Sequence, residues 1–246
     1  VYHVQWSKRE VVTAVEKHIL QGTWIVMGDQ YGVSTVLIEK MQRDNIRFIH
    51  VVPGSHYLKH KGKDDVHYSI NYAAPKDYEK LIQDIFITEH TSITGIIHMG
   101  GVDYAREEDQ EVSAEEIEFL QVYSSVSVMN MAKQVHALAL TETPAMVIVT
   151  NGVQIVDLDK HVPQAAHAPV WGLGRVLSNE LSQFNCRLYD LSANPSHLEL
   201  ETLLQDLSTR DPQENEIVLR GKEQFVSRLL SFQDDTPQKV SSVQFT

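Results

Sequence analysis

The sequence predicts an α/β fold built on a doubly wound, mostly parallel sheet. Segments with the spacing of strands alternate with amphipathic segments of helical spacing through nearly all of the 246 residues. Several strand segments are continuous apolar runs, as at residues 144–150, which indicates strands covered by helices on both faces. Regular alternation of this kind is typical of α/β folds with a parallel sheet.

In the first half of the chain, the apolar pattern predicts five strands and three helices. Pro75 favours a helix start because its fixed φ suits the first turn. The segment from Pro53 to Asp65 is polar, and its basic cluster Lys59–Lys63 is predicted to be a solvated loop, with Lys59–Asp65 as an insertion. The strands are Tyr2–Trp6, Trp24–Met27, Ile46–Val52, Val66–Ile70 and Gly95–Met99, and the helices are Arg9–Leu20, Val33–Met41 and the one from Pro75.

The second half of the chain continues the same alternation. A long helix is expected from Glu107 to Leu140, because acidic residues at its start suit the positive end of a helix dipole. We assign residues 1–233 to one domain and the polar residues 234–246 to a loose tail or linker. The other elements are the strands Pro144–Thr150 and Cys186–Leu191, the helices His167–Leu181 and Leu198–Leu207, and a closing hairpin of Ile217–Arg220 and Gln224–Leu229.

The composition argues against several classes of function. With 21 basic and 33 acidic side chains the net charge is −12, which disfavours binding to nucleic acid. Cys186 is the only cysteine, so no intrachain disulfide or cysteine-rich zinc site can form, as expected in a reducing cytoplasm. No apolar run reaches the roughly 18 residues of a membrane span. We expect a cytoplasmic protein that binds neither nucleic acid nor membrane, and, since the sequence starts without Met, a domain of a longer chain.

A glycine-containing turn follows the first buried strand, at residues 28–34. Gly28 and Gly32 match the first two glycines of the short-chain reductase pattern T-G-x-x-x-G-x-G, whose backbone amides hold a cofactor pyrophosphate at a helix start. Met27 replaces the Thr, and Ser34 replaces the third glycine, where a β-carbon would crowd the helix–strand or cofactor contact. The carboxylate of Asp29 would also oppose a phosphate. The turn either binds NADP(H) or only keeps the shape of a binding loop, and these residues favour the second interpretation.

Short-chain reductases also place a tyrosine and a lysine one helical turn apart, so that the tyrosine can protonate a carbonyl oxygen. Two pairs have this spacing, Tyr57 with Lys61 and Tyr72 with Lys76. Tyr57 is predicted to lie in a loop, and Pro75 interrupts the turn that the second pair requires. We expect neither pair to be catalytic.

Two more features lie where an active reductase would need functional groups. Tyr123 is on the predicted long helix, but Ser127 stands where the paired lysine is required. The segment from His98 to Asp103 ends a strand, and the equivalent strand end of an active reductase lies beside the cofactor. Here we interpret this strand end as structural, and the sequence therefore predicts no catalytic residue.

Metal binding and nucleophilic catalysis are also disfavoured. His56, His60 and His67 fall in or beside a predicted loop, which would not hold metal ligands in fixed positions. Cys186 is expected in a buried strand, where a thiol is usually inert. The chain has no G-x-S-x-G motif. We predict neither a metal site nor a catalytic nucleophile.

Six short segments, spread over nearly the whole chain, carry a family resemblance. In order and spacing they resemble the structural subdomain of a modular polyketide synthase ketoreductase. Each segment alone is a weak signal, whereas the combination is specific. The segments are Tyr2–Trp6, Trp171–Arg175, Asn179–Glu180, Leu188–Leu191, Glu214–Gly221 and Phe225–Leu229.

The resemblance implies a truncated, degenerate Rossmann-like fold, the first of two ketoreductase halves, with no catalytic residue and no bound cofactor. NADPH would belong to the second half, which reduces β-ketoacyl groups held by phosphopantetheine on an acyl carrier protein. The implied partners are that catalytic subdomain, the acyl carrier protein and neighbouring synthase domains. Trp171, Gly172, Gly174 and Arg175 are expected to be structural anchors.

Two other functions stay open at this point. A divergent, free-standing NADP-dependent short-chain reductase would account for Gly28 and Gly32. A pseudo-ketoreductase scaffold that docks a neighbouring methyltransferase or dehydratase domain would differ in having no catalytic half anywhere in its parent polypeptide.

Overall fold

The computed structural model describes residues 2–9, 20–61, 66–102, 113–160, 163–209 and 214–231. Within these ranges the chain forms ten strands and six α-helices. The strands are β1 (Tyr2–Lys8), β2 (Thr23–Met27), β3 (Arg47–Pro53), β4 (Leu58–Lys61), β5 (Val66–Ile70), β6 (Gly95–Gly101), β7 (Ala145–Asn151), β8 (Arg187–Leu191), β9 (Glu216–Arg220) and β10 (Glu223–Ser231). The helices are α1 (Val33–Arg43), α2 (Pro75–Ile82), α3 (Ala114–Gln121), α4 (Ser127–Ala137), α5 (Ala168–Glu180) and α6 (His197–Ser208).

All ten strands belong to one sheet, in the order β1-β10-β9-β8-β7-β6-β2-β3-β5-β4. The seven strands from β9 to β5 run parallel to one another, whereas β1, β10 and β4 pair antiparallel. The chain runs outward from β2 to β3 and β5, then returns to place β6 on the other side of β2. This reversal creates the crevice at the carboxyl ends of β2 and β6 where doubly wound sheets bind ligands. The predicted fold class is confirmed.

Helices cover both faces of the central sheet. Neighbouring strand residues such as Ile25 and Val26 point to opposite faces and enter different apolar clusters. One cluster includes side chains of α2, α4 and α5, and the other includes side chains of α1 and α6. None of the helices in the described ranges is long and apolar enough to cross a membrane.

The prediction of a solvated loop at Lys59–Lys63 was wrong for its first residues, because Leu58–Lys61 forms the edge strand β4 against β5. Lys59 is not solvated like the side chain of a loop lysine. Its ammonium lies 2.6 Å from the carboxylate of Asp84 and also pairs with Glu89, and it lies over the ring of Tyr68. These tertiary contacts fix a polar segment to the sheet. Residues 62–65 lie outside the described ranges.

The predicted long helix is only partly within the described residues. From residue 114 it runs as α3, a π-helical segment Val122–Val126 and then α4. The hydroxyl of Ser113 caps α3 by accepting the backbone N–H of Glu116. Residues 107–112 of that prediction, most of the predicted helix Arg9–Leu20, and the tail 234–246 lie outside the described residues.

Two of the predicted anchors, Gly172 and Gly174, differ sharply in their surroundings on α5. An added β-carbon at Gly174 would lie 2.4 Å from Leu188 Cδ2, so the close packing of the helix on β8 uses the absence of a side chain there. At Gly172 no described atom beyond the adjacent residues and the helix's own backbone lies within 4 Å of the same position, and the residue is exposed. Packing therefore accounts for Gly174 but not for Gly172.

We expect Gly174→Ala to lower the free energy of unfolding by about 1–3 kcal/mol, because an over-packed core strains its neighbours. Gly172→Ala should raise it by up to about 1 kcal/mol, since alanine is the better helix former. Urea denaturation of both variants measures the difference. Equal effects of the two substitutions would contradict the packing of α5 on β8.

Candidate functional site

The candidate site is the crevice at the carboxyl ends of β2, β3 and β6. The loop of residues 28–32 leaves β2 and leads into the N-terminus of α1. In a dinucleotide-binding fold, the free backbone N–H groups of this helix end bind the cofactor pyrophosphate. The side chains around this helix end therefore decide whether a phosphate can enter.

Backbone conformation accounts for Gly32, and close packing of side chains accounts for Gly28. Gly32 has φ +90°, a left-handed conformation that side chains rarely adopt, and it immediately precedes α1. Gly28 donates its N–H to the carbonyl of Val51 at 2.7 Å. A β-carbon at Gly28 would lie 2.9 Å from His50 Nε2, too close for a normal contact. The conformation and packing of the loop thus explain Gly28 and Gly32 without reference to a cofactor.

The carboxylate of Asp29 occupies the N-terminus of α1. It accepts the backbone N–H groups of Tyr31 at 2.8 Å, Val33 at 3.1 Å and Ser34 at 2.7 Å. Only 7% of Asp29 is exposed. The helix dipole and these amides favour an anion at this place, and the protein supplies one from its own chain. The donors that would hold a pyrophosphate are thus already in use.

Ser34 fits where the sequence led us to expect crowding. Its side chain is buried, and its Oγ lies 3.0 Å from the place where a β-carbon of Gly28 would be. The missing side chain of Gly28 therefore leaves the space that Ser34 fills. The hydroxyl accepts the backbone N–H of Asp29 at 3.2 Å, which closes the loop on itself.

Tyr72 fills the crevice from the β5 side. It is fully buried, and its hydroxyl donates toward the carbonyls of Gly28 at 2.9 Å and Val51 at 3.2 Å. Burial raises the pKa of Tyr72 well above the usual value for tyrosine. A catalytic tyrosine needs the opposite shift, so Tyr72 is suited to hold the loop rather than to donate a proton. The ring of Tyr123 lies 5.4 Å from that of Tyr72 and extends the aromatic layer.

A buried polar network lies beneath this aromatic layer. Ser127 Oγ is 2.7 Å from His98 Nε2 and accepts the hydroxyl of Tyr78 at 2.6 Å. All three side chains are at most 1% exposed. Burial lowers the pKa of His98 to about 3, which keeps the ring neutral at physiological pH. The network, including its Ser–His pair, is thus closed to solvent.

The glycines at the end of β6 make room for a helix. An added β-carbon at Gly100 would lie 2.3 Å from the carbonyl oxygen of Tyr123, and one at Gly101 would lie 3.2 Å from Ser124 Cβ. The π-helical segment therefore rests directly on the strand end that would face a cofactor. Asp103, the last residue of the predicted feature, lies outside the described residues.

Neither tyrosine–lysine pair is arranged for catalysis. Lys61 ends the strand β4 and Tyr57 directly precedes that strand, so the two are not one helical turn apart. Burial is the main cause that raises the pKa of Tyr57. Tyr72 is buried in the crevice, whereas Lys76 is exposed near the start of α2. The two hypothetical pairs are thus separated by the fold.

One pair with the same spacing was missed in the sequence. Trp171 and Arg175 stand four residues apart on α5, which is the spacing of a reductase's tyrosine and lysine. Trp171 is buried, donates its indole N–H to Thr150 Oγ1 at 2.9 Å, and packs edge-to-face against Trp6. Arg175 binds Glu216 through two nitrogen atoms, at 2.6 and 2.8 Å. The four-residue spacing of this pair could have been noticed in the sequence. In the structure both side chains make contacts within the fold.

A second polar cluster closes the carboxyl ends of β8 and β9. The guanidinium of Arg220 donates to Asp159 at 2.7 and 2.9 Å and to Asp190 at 3.2 Å. Asp190 also accepts the hydroxyl of Thr150 and the backbone N–H of Val153. These buried charges are paired and hydrogen-bonded, so they fix the loop after β7 in place.

The three histidines and the cysteine singled out in the sequence lie in different surroundings. The rings of His60 and His67 stack face to face with centroids 4.5 Å apart, and His56 makes a hydrogen bond to Ser55. Among the residues that the structure describes, no group of three histidine, cysteine or acidic side chains is placed to hold a metal. Cys186 is buried immediately before β8, and burial raises its pKa to about 12.

Residues 22–211 match the protein family described as beta-ketoacyl synthase-like, N-terminal, and the chain belongs to that family. No curated protein matches the chain.

Several solved structures share the fold at low sequence identity. A multidomain structure with adenylation, ketoreductase and pseudo-Asub domains, from a keto acid-selecting NRPS module, is 20% identical with a TM-score of 0.78 and covers 94% of this chain. A C2-type ketoreductase from a modular polyketide synthase is 15% identical with a TM-score of 0.65 and covers 96%. The chain spans only 18% and 45% of those two chains. The predicted resemblance to polyketide synthase ketoreductases is confirmed for the fold.

An oxidoreductase of the short-chain dehydrogenase/reductase family also has this fold. A short-chain dehydrogenase/reductase from Brucella ovis, solved with a partially ordered NAD, is 13% identical with a TM-score of 0.59. The match covers 81% of this chain and all of that chain.

Removing the loop carboxylate should destabilise the protein. We expect Asp29→Ala to lower the free energy of unfolding by about 2–3 kcal/mol, since it leaves buried N–H groups without a charged acceptor. Glu39→Ala, which removes an exposed carboxylate from the same helix, should change it by less than about 0.5 kcal/mol. Urea denaturation distinguishes the two variants, and equal stability of Asp29→Ala and wild type would rule out this capping contact.

The buried neutral imidazole of His98 predicts a loss of stability in acid. The unfolded chain takes up a proton near the ordinary histidine pKa of about 6.5, whereas the folded chain does so only near 3. Stability therefore falls as the pH drops below about 6.5, by about 2 kcal/mol between pH 7 and pH 5. His98→Gln has no imidazole to protonate, so its stability lacks this pH dependence. The difference in free energy of unfolding between wild type and His98→Gln should therefore shrink by about 2 kcal/mol from pH 7 to pH 5. Urea denaturation at both pH values measures it, and a difference independent of pH would contradict it.

Proposed function

We propose that this chain is the non-catalytic, structural half of a polyketide synthase ketoreductase. It packs against a cofactor-binding half, which reduces β-ketoacyl groups carried on an acyl carrier protein with NADPH. The chain itself binds no cofactor and carries no catalytic residue. Its parent polypeptide would also contain the neighbouring synthase domains.

The observation that carries this proposal is the Asp29 carboxylate at the N-terminus of α1. It accepts three backbone N–H groups that would otherwise be available to a phosphate. A pyrophosphate would have to displace a buried carboxylate whose charge has the same sign. The free energy of that exchange is unfavourable because like charges repel strongly where solvent is excluded.

The state of the possible proton donors supports the same conclusion. Tyr72 lies in the crevice with a raised pKa, and its hydroxyl is engaged by backbone carbonyls. Trp171 and Arg175 have the spacing of a tyrosine–lysine pair but not its chemistry. A ketoreduction needs both a hydride from the cofactor and a proton from such a donor.

The lengths of the similar structures support the division into halves. This chain spans 45% of a ketoreductase chain from a modular polyketide synthase. A second region of comparable size is thus present in that protein, and we assign cofactor binding and catalysis to the corresponding region here.

A free-standing NADP-dependent reductase is the second candidate. It is favoured by the match to the Brucella ovis enzyme, because the match takes in the whole of that chain and 81% of this one. Such an enzyme would need Asp29 to leave the helix end when the cofactor binds. It would also need a proton donor other than the buried Tyr72.

Titration of the purified chain with NADPH, followed by nicotinamide fluorescence, separates these functions. We expect no saturable binding up to about 1 mM, which is beyond the usual range of cofactor affinities. A competent short-chain reductase serves as the positive control. Saturable micromolar binding, or NADPH-dependent reduction of a β-keto thioester by the chain alone, would overturn the proposal and favour the free-standing enzyme.

A further inference from the structure

Two histidines lie side by side at one edge of the sheet, on β4 and β5. His60 is directly opposite His67 in the antiparallel register, so both side chains project from the same face of the sheet. Their rings are stacked, with centroids 4.5 Å apart and planes inclined by 10°. His60 is exposed and His67 is half-buried, so the pair is open to solvent on one side.

The structure removes the reason for which the sequence disfavoured a metal at these histidines. A loop would not hold ligands in fixed positions, whereas both residues lie on paired strands. Directly opposite residues of antiparallel strands have β-carbons about 4.5–5.5 Å apart. A metal ion binds histidine nitrogen at about 2.0–2.1 Å, so one ion can join two nitrogens up to about 4 Å apart. A tilt of the exposed ring of His60 out of the stacked arrangement can bring the two rings within that distance.

Both imidazoles are available as ligands. Among the described residues, none makes a hydrogen bond to the ring of His60 or His67. A neutral imidazole nitrogen is the commonest protein ligand for metals. His50 continues the row on β3, directly opposite His67. Its Nε2 is packed 2.9 Å from the place where a β-carbon of Gly28 would be, so we do not count it as a ligand.

The charges around the pair favour a cation. Lys59 and Lys61 alternate with His60 along β4 and therefore project from the opposite face. On that face, acidic side chains pair with both ammonium groups. The next cross-strand pair on the histidine face is Leu58 with Ser69, which carries no charge. The net charge of −12 also attracts cations to the protein.

We propose that His60 and His67 together chelate one divalent transition-metal ion, with water in its remaining coordination positions. Imidazole nitrogen suits Zn²⁺, Cu²⁺ and Ni²⁺, whereas Mg²⁺ and Ca²⁺ prefer oxygen ligands. Structural zinc sites use four protein ligands, so an ion held by two exchanges with the solution. When bound, it joins the edge strand β4 to β5. The inference does not depend on the proposed function, because it uses only the geometry of these two strands.

Titration of the full 246-residue chain with Zn²⁺ tests the chelate, with the backbone amide NMR signals of His60 and His67 as the readout. Zn²⁺ is a suitable probe because it has no redox chemistry. These signals should shift saturably with a Kd below about 1 mM. His60→Gln and His67→Gln should each weaken binding at least about 10-fold, because the second ligand of a chelate binds at a high effective concentration.

The matched control is His136→Gln, which removes an exposed histidine from α4. Its Kd for Zn²⁺ at the histidine pair should equal that of wild type. The absence of a saturable shift in wild type would overturn the chelate. Wild-type affinity in either His60→Gln or His67→Gln would also overturn it, since a single histidine would then account for the binding.

Hydrogen exchange provides a second measurement, which needs no variant. Backbone amides of residues 58–61 that bond to β5 should exchange about 10-fold more slowly at a free Zn²⁺ concentration ten times the Kd, because opening of β4 breaks the chelate. Amides of the distant strand β9 serve as the internal reference. Exchange of β4 that is unchanged by Zn²⁺ would contradict an ion that joins the two strands.

Discussion

The site depends on one electrostatic contact, between the carboxylate of Asp29 and the N-terminus of α1. Free N–H groups at a helix start attract an anion, and in a dinucleotide-binding fold that anion is the cofactor's pyrophosphate. Here the loop folds back so that its own side chain accepts the same donors. These three donors of the loop are thereby satisfied within the chain.

The closing of the crevice follows from this contact. With the helix end occupied by Asp29, the hydroxyl of Tyr72 binds the loop carbonyl of Gly28. The helical segment at Tyr123 can rest on Gly100, at the end of the neighbouring strand. The glycines that a reductase keeps for its cofactor are used here for a positive φ and for close packing. Under the proposed structural role, the sequence pattern of a binding site persists because its backbone geometry is needed.

The sequence predicted the central strands and helices because their periodicity is set by burial on both faces of the sheet. It did not predict β4, since residues 58–61 have a polar pattern and their position depends on the ion pair between Lys59 and Asp84. Asp29 could be identified in the sequence as a charge opposed to phosphate. Its role as a cap could not, because that role depends on loop dihedral angles that place the carboxylate over the following helix.

Amide NMR spectra of the chain, recorded with added inorganic pyrophosphate, test the central contact most directly. If Asp29 occupies the helix end, the amide signals of Val33 and Ser34 should not shift in the wild-type protein at concentrations up to about 10 mM, well above useful affinities. The same signals should shift in Asp29→Gly, where the donors become free for an anion. Saturable shifts of these two amides in the wild type would show that the site is open, and would contradict a structural role for this loop.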